Sequence, residues 1–227
     1  MQHPRKKITR KELKQDKFII ATLKAKDFLE KNSKLVIRSI FGLVIIIVLV
    51  TFFVRSKQTA NVNAASMLSR AQFMLGGPQQ EATADSLKVI VDRYDGTIAA
   101  GKATYLLAKI YWEANDFENA KIYFKKFIDD YLDETVVSQS ALAGYADCLI
   151  KEENYGEAAE YYERAAEVDA KYPETPEFLF SAATAYKDAG KIDKAEKLAE
   201  RLVADYNNPQ IKNKAEVLLE DLKYAKS

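Results

Sequence analysis

The 227-residue chain carries 34 Lys/Arg against 33 Asp/Glu, with eight glycines, five prolines, one cysteine (Cys148) and one histidine (His3). One cysteine excludes an intramolecular disulfide, and one Cys with one His excludes a zinc site and a Cys–His nucleophile. The scarcity of Gly and Pro beside abundant Ala, Glu, Lys and Leu favours helices joined by short turns over a sheet-rich fold.

Residues 1–8 are basic and are expected to be disordered. Thr9-Arg10-Lys11-Glu12 then reads as a capping box, opening a helix over Arg10 to Lys31. Leu13, Ile19, Ile20, Leu23, Phe28 and Leu29 recur there at roughly helical spacing between lysines, with a break near Asn32-Ser33. This predicts a basic amphipathic helix within segment 1–34. Two readings stand side by side: docking on an anionic leaflet or protein surface, or a topology signal without a partner.

Leu35 to Val54 (LVIRSIFGLVIIIVLVTFFV) holds one charged residue, Arg38. A helix of this stretch reaches ~30 Å, the thickness of a bilayer core. Arg38, one turn in, can snorkel to the headgroups. A buried core helix or strand is the alternative reading. A cleaved signal peptide is disfavoured, because the basic lead exceeds thirty residues and the apolar stretch runs to twenty. Residues 1–38 carry twelve Lys/Arg against four Asp/Glu, net +8, so residues 39–227 carry −7. By the positive-inside rule the N-terminus is expected in the cytoplasm and the remainder across the membrane. Arg55 to Asn63 is polar and short, a tether between the apolar stretch and the rest of the chain.

From Ala64 onward the chain repeats. Ala120, Ala158 and Ala195 lie 38 and 37 residues apart. Twelve residues before each stands Ala108, Ala146 or Ala183, and three after those Tyr111, Leu149 or Tyr186. Beyond the first set come Phe124, Tyr162, Ala199, then Phe127, Ala165, Leu202. Turn signals divide each unit: Asn115-Asp116, Asn154 with Gly156, and Gly190. Small residues at fixed places let two antiparallel helices approach closely, and large ones at i+3 and i+4 fill the groove beside them. No unit can bury its apolar face alone, so the units must stack. A weaker unit precedes, with Ala71, Met74, Leu87, Ile90 and Tyr94 in the equivalent places, Thr83 where the others have Ala, and Gly76-Gly77-Pro78 as its turn. The units end in Tyr131 with Asp133-Glu134-Thr135, in Tyr172-Pro173, and in Tyr206 before Pro209. The late position of Tyr172 predicts an extended second helix in the third unit. Ile211 to Lys226 reads as a final amphipathic capping helix.

This pattern resembles the tetratricopeptide repeat (TPR) over residues 64–227. The resemblance implies an all-α solenoid of about four helix pairs plus a C-terminal capping helix, preceded by a single transmembrane helix. The whole layout is similar to the YfgM-type ancillary subunit of the bacterial Sec translocon, a family that works at the periplasmic exit of the translocon beside a membrane-anchored chaperone.

By the TPR resemblance the first helix of each unit lines the concave face. Its groove residues are Lys102, Tyr105, Lys109, Trp112 and Glu113, then Ser140, Ala143, Asp147, Ile150 and Lys151, then Glu177, Phe180, Thr184, Lys187 and Asp188. Trp112, Tyr105 and Phe180 are aromatic anchors of the type found at binding hot spots, though each ring can equally serve as packing. The lysines are mixed with acids, so a clamp for a peptide C-terminal carboxylate is not expected.

No P-loop, GxGxxG, GxSxG or HExxH occurs, and no cofactor is expected. Asp129-Asp130 and Glu152-Glu153 read as solvated helix faces. The acidic exported part disfavours nucleic acid. The expectation is a non-enzymatic, single-pass protein of a bacterial inner membrane with a periplasmic TPR domain. It would bind translocon subunits, a periplasmic chaperone or exported clients. Alternatives are a scaffold for envelope assembly or cell division, a hydrolase or transferase, and an organelle-anchored TPR receptor.

Overall fold

The computed structural model describes residues 10–75, 77, 80–132 and 136–225, with side chains from residue 19 on except that of Val136. The basic start 1–8, the Thr9–Glu12 capping box, the side chain of Leu13, the turn residues Gly76 and Pro78, Asp133-Glu134-Thr135 and the terminal Lys226 lie outside the described residues. Among the described residues there are helices and no strand. The chain divides into two compact units, Met1–Lys57 and Gln58–Ser227.

The first unit holds α1 (Arg10–Lys31) and the leading part of α2 (Ser33–Met74). The break falls at Asn32, whose side-chain amide donates to the Phe28 carbonyl (3.0 Å). Ile19, Ile20, Leu23, Phe28 and Leu29 of α1 are all exposed. Most large apolar side chains of α2 between Leu35 and Val54 are more than half exposed, and Val36 is half-buried. The stretch is long and apolar enough to cross a membrane. Residues 55–63 are helical.

The second unit begins with the end of α2 and continues through α3 (Gln80–Arg93), α4 (Ile98–Glu113), α5 (Phe117–Asp130), α6 (Val136–Lys151), α7 (Tyr155–Val168), α8 (Thr175–Asp188), α9 (Ile192–Asp205) and α10 (Pro209–Ala225). From α3 onward successive helices pack on one another, and α8 also meets α10. This is the helical-hairpin solenoid that the repeat implies. Ala108, Ala120, Ala146, Ala158, Ala183 and Ala195 are wholly buried, and Phe124, Tyr162, Phe127 and Leu202 fill the space beside them. On α10, Ile211, Ala215, Leu218 and Leu222 are buried, as its amphipathic pattern predicts. The core has two parts. One is built from α2, α3 and α4, with Leu68, Leu87, Ile90 and Leu107. The other runs from α4 to α10, and Tyr111, Tyr123 and Tyr131 border both.

The turn inside each unit is set by one backbone choice. Asn115 (φ 60°), Glu153 (φ 60°) and Gly190 (φ 72°) stand five residues before the three repeat alanines, all left-handed. The next residue's N–H reaches back across the turn: Asp116 to the Tyr111 carbonyl (2.9 Å), Asn154 to Leu149 (2.9 Å) and Lys191 to Tyr186 (2.8 Å). This is a helix C-terminus of the Schellman type. Glycine and asparagine tolerate it, whereas a glutamate there meets its own Cβ. Glu153→Gly is therefore expected to raise stability by roughly 0.5–1 kcal/mol, read as a higher urea midpoint.

The third unit departs from expectation. α7 is 14 residues long, as are α5 and α9, so its second helix is not extended. The additional residues form the connection 169–174, which carries Tyr172. Gln139, fully buried on α6, holds that connection. Its amide donates to the carbonyls of Ala165 (3.1 Å) and Asp169 (3.2 Å), and the Thr175 hydroxyl donates to the latter (2.6 Å). Carbonyls left open at the end of α7 are thus satisfied by a side chain from the neighbouring helix.

Candidate functional site

Helices α4 and α6 stand side by side, and the connection 169–174 with the start of α8 closes a groove of about 360 Å3 against them. Tyr105, Lys109 and Trp112 come from α4, Ser140, Ala143, Gly144 and Asp147 from α6, and Tyr172, Glu174 and Phe178 from the far side. Phe124 of α5 reaches through to the floor because Gly144 has no side chain: a Cβ there would lie 2.5 Å from the Phe124 Cζ.

The rings are braced. Tyr105 packs between Phe124 (6.2 Å) and Phe127 (6.0 Å), and Trp112 tilts onto Phe117 (4.8 Å). Lys151 stands over Phe117 (5.3 Å) and Trp112 (6.0 Å), within cation–π range. Tyr105, Trp112, Tyr172 and Phe178 are half-buried, each able to pack on one side and contact a ligand on the other.

Asp147 is the one acidic side chain of α6, and it is half-buried. It accepts a hydrogen bond from the Tyr162 hydroxyl of α7. Burial raises its carboxyl above the ordinary aspartate range, and the Tyr162 hydrogen bond and the Lys151 charge offset only part of this. The folded chain therefore holds this proton more tightly than the unfolded chain. Ionised Asp147 weakens the fold at neutral pH, and this cost disappears as pH falls through its folded pKa. Asp147→Asn is thus expected to be more stable than the unaltered chain at pH 7.5. Thermal denaturation should show the difference closing as buffer approaches about pH 4, where free aspartate titrates.

The other expected groove residues sit elsewhere. Lys102 lines a neighbouring cavity of about 450 Å3 with Gly101, Phe127 and Tyr131. Ile150 is half-buried against the core. Phe180 lies under the Lys214 ammonium of α10 (5.5 Å), and that lysine also pairs with Glu177 (3.0 Å). Thr184 donates to the Phe180 carbonyl (3.0 Å), and Lys187 faces Asp221 of α10 (3.8 Å). Thus Tyr105, Lys109, Trp112 and Asp147 are brought together, while Phe180 and Lys187 border the capping helix and Thr184 bonds within α8. Phe124, Gly144, Tyr172, Glu174 and Phe178 are the lining residues that sequence reasoning missed, and the unusual place of Tyr172 was the signal available for the last three.

Cys148 is buried, its thiol pushed up to about 12 by burial and the nearby Asp147 charge, so it carries no reactive thiolate. Among the described residues no group of three or more His, Cys, Asp or Glu is placed to hold a metal ion. Asp129 pairs with Lys125, Asp130 with Lys126 (2.8 Å) and Glu152 with Lys121.

A family model described as a tetratricopeptide repeat-like domain matches residues 26–175, and a second, for the tetratricopeptide repeat, matches 149–218. The chain belongs to the tetratricopeptide repeat-like family. Solved structures of low identity share the fold where the TM-score reaches 0.50. TPR-like repeats of a putative kinesin light chain from Podosopora anserina share 17% identity at TM-score 0.52, covering 72% of this chain and 95% of that one. A double mutant of MamA RS-1 shares 14% at 0.50, covering 72% and 96%. The type III secretion chaperone SycD of Yersinia enterocolitica, in complex with a peptide of the translocator YopD, shares 26% at 0.44, covering 56% and 94%. No curated protein matches the chain. None of these TPR likenesses indicates an enzymatic family, and the TPR fold is typically a protein-interaction scaffold.

Proposed function

We propose that this is a membrane-anchored TPR protein whose groove between α4 and α6 captures a segment of another envelope protein. The observation that carries this reading is the groove itself. Half-buried rings from α4, the 169–174 connection and α8 converge on a cavity with both polar and apolar walls, the composition expected where a peptide docks. The stretch Leu35 to Val54 serves as the anchor, supported by its length and its exposure. The charge difference across it favours a cytoplasmic N-terminus and an exported repeat domain. An ancillary role in protein export or periplasmic chaperoning accords with that layout, since anchoring raises the local concentration of the groove beside emerging chains.

Site-specific photocrosslinkers at Tyr105, Lys109 and Tyr172, with Glu160 on another face for comparison, test the reading in intact membranes. Adducts to export or chaperone proteins from the first three positions and not from Glu160 are the expected result. Adducts only to division or cell-wall assembly proteins would replace the export role with scaffolding. Equal labelling from all four positions, or none, would remove the groove as the site.

A further inference from the structure

The groove places one carboxylate among its rings. Asp147 stands at the place that Lys109 holds in the preceding repeat and Thr184 in the next one. It lines the same cavity as Tyr105, Trp112, Phe124, Tyr172 and Phe178. Its charge is only partly matched: the Lys151 ammonium favours the ionised form without outweighing burial. Lys151, one turn along α6, stands over the Trp112 and Phe117 rings. Lys109 is exposed on α4, and Tyr162 contributes a neutral hydroxyl. Exposed Glu174 adds a second negative group to the lining. The surrounding domain is acidic as well: residues 58–227 hold twenty Lys/Arg against twenty-nine Asp/Glu, net −9.

A half-buried carboxylate whose burial outweighs its partners is under-compensated, and its carboxyl lies above the usual range for that reason. Such a group stabilises an incoming cation more than a solvated surface carboxylate does, because less water screens the pair. Aromatic faces around it favour a cation in the same place.

We propose that the groove selects a partner segment bearing a Lys or Arg side chain between apolar residues, with the cation seated on Asp147 among the rings of Tyr105, Trp112 and Phe178. The proposal rests on the groove being the docking site. Lys109 on the opposing helix repels a second cation, so the site selects a single basic residue over a polybasic run.

The test uses the full-length chain in lipid nanodiscs and a random-sequence library of 12-residue peptides, selected on the unaltered chain, on Asp147→Asn and on Trp112→Ala. Peptides enriched on the unaltered chain should share one Lys or Arg flanked by apolar residues. The tightest should bind Asp147→Asn about ten-fold or more weakly. Replacing the peptide's arginine by citrulline should cost as much on the unaltered chain and less than about two-fold on Asp147→Asn, the coupling expected of a direct pair. Peptides without a basic residue, or equal affinity for Asp147→Asn, overturn the cation selection and leave the groove intact. Enrichment indifferent to Trp112→Ala, or no enrichment, removes the groove and the selection together. On the unaltered chain alone the citrulline exchange still reads whether a cation is selected, and no loss there overturns the cation selection even where a substitution fails to fold.

Discussion

Gly144→Ala is expected to destabilise the repeat domain by about 2–3 kcal/mol, read from urea denaturation followed by circular dichroism. A Cβ on Gly144 would lie 2.5 Å from Cζ and 2.8 Å from both Cε atoms of Phe124, which is 3% exposed. That ring is held by Tyr105 on one side and α6 on the other, so it cannot swing away. Alanine gains about 1 kcal/mol of helix propensity over glycine, and the overpacking exceeds this. A second substitution, Phe124→Leu, should recover part of the loss, so the double variant should be more stable than the sum of the singles implies. The other glycines give a ranking. At Gly101 the Cβ meets the Tyr131 ring at 2.9 Å, and Tyr131 is only half-buried, so alanine there should cost less. At Gly156 the neighbour is the Lys191 ammonium at 3.2 Å, the free end of a flexible chain, and alanine should be neutral or stabilising by up to about 1 kcal/mol. Equal effects at all three sites would show that glycine serves there for backbone reasons alone.

Placing two charges in the apolar stretch should abolish membrane retention. Ile45 and Leu49 lie one turn apart at its centre, each more than half exposed along α2. A lysine at the centre of a spanning helix costs about 2.5–3.5 kcal/mol, so Ile45→Lys with Leu49→Lys together cost roughly 5–7 kcal/mol. Alkaline carbonate extraction should leave the unaltered chain in the membrane pellet and release the double variant. Retention of the variant would sink the anchor reading. Substituting Arg38 by leucine is a milder control: it lies near the end of the stretch, where its stem can carry the charge to the headgroups, and should leave retention unchanged.

Much of the fold was legible because a helix repeats every 3.6 residues and a solenoid repeats itself. Ala108, Ala146 and Ala183 could be placed in the core from spacing alone, and all are wholly buried. Periodicity reports which face of a helix is covered, but not which atom covers it. Nothing in the spacing therefore marks Gly144, whose missing side chain leaves room for the Phe124 ring. The same limit applied to Gln139: nothing local marks a polar residue that will reach carbonyls 26 and 30 positions downstream. The site was legible only where it lay on helices. Tyr105, Lys109, Trp112 and Asp147 follow from position within the repeat, whereas Tyr172 and Glu174 enter through a connection whose course is fixed by Gln139 and Thr175. Phe180 and Lys187 are equivalent to groove positions by register, yet α10 packs beside them, because the last pair of a stack meets a cap where the others meet another pair.

The division of the core has a consequence for how the domain comes apart. In a solenoid each helix is stabilised by its immediate neighbours, so cohesion passes along the stack link by link. The cluster of α2 to α4 and that of α4 to α10 share helix α4 and are bordered by three half-buried tyrosine rings, two of them stacked at 5.5 Å. A border of half-buried phenols yields sooner than a border of interlocked alanines and leucines. Backbone amides of α3 should thus exchange with solvent at a lower free energy than those of α6 to α9, as one cooperative foldon. A protease or an unfoldase pulling on the chain meets two modules joined at α4, so loss of the first also loosens the α4 wall of the groove.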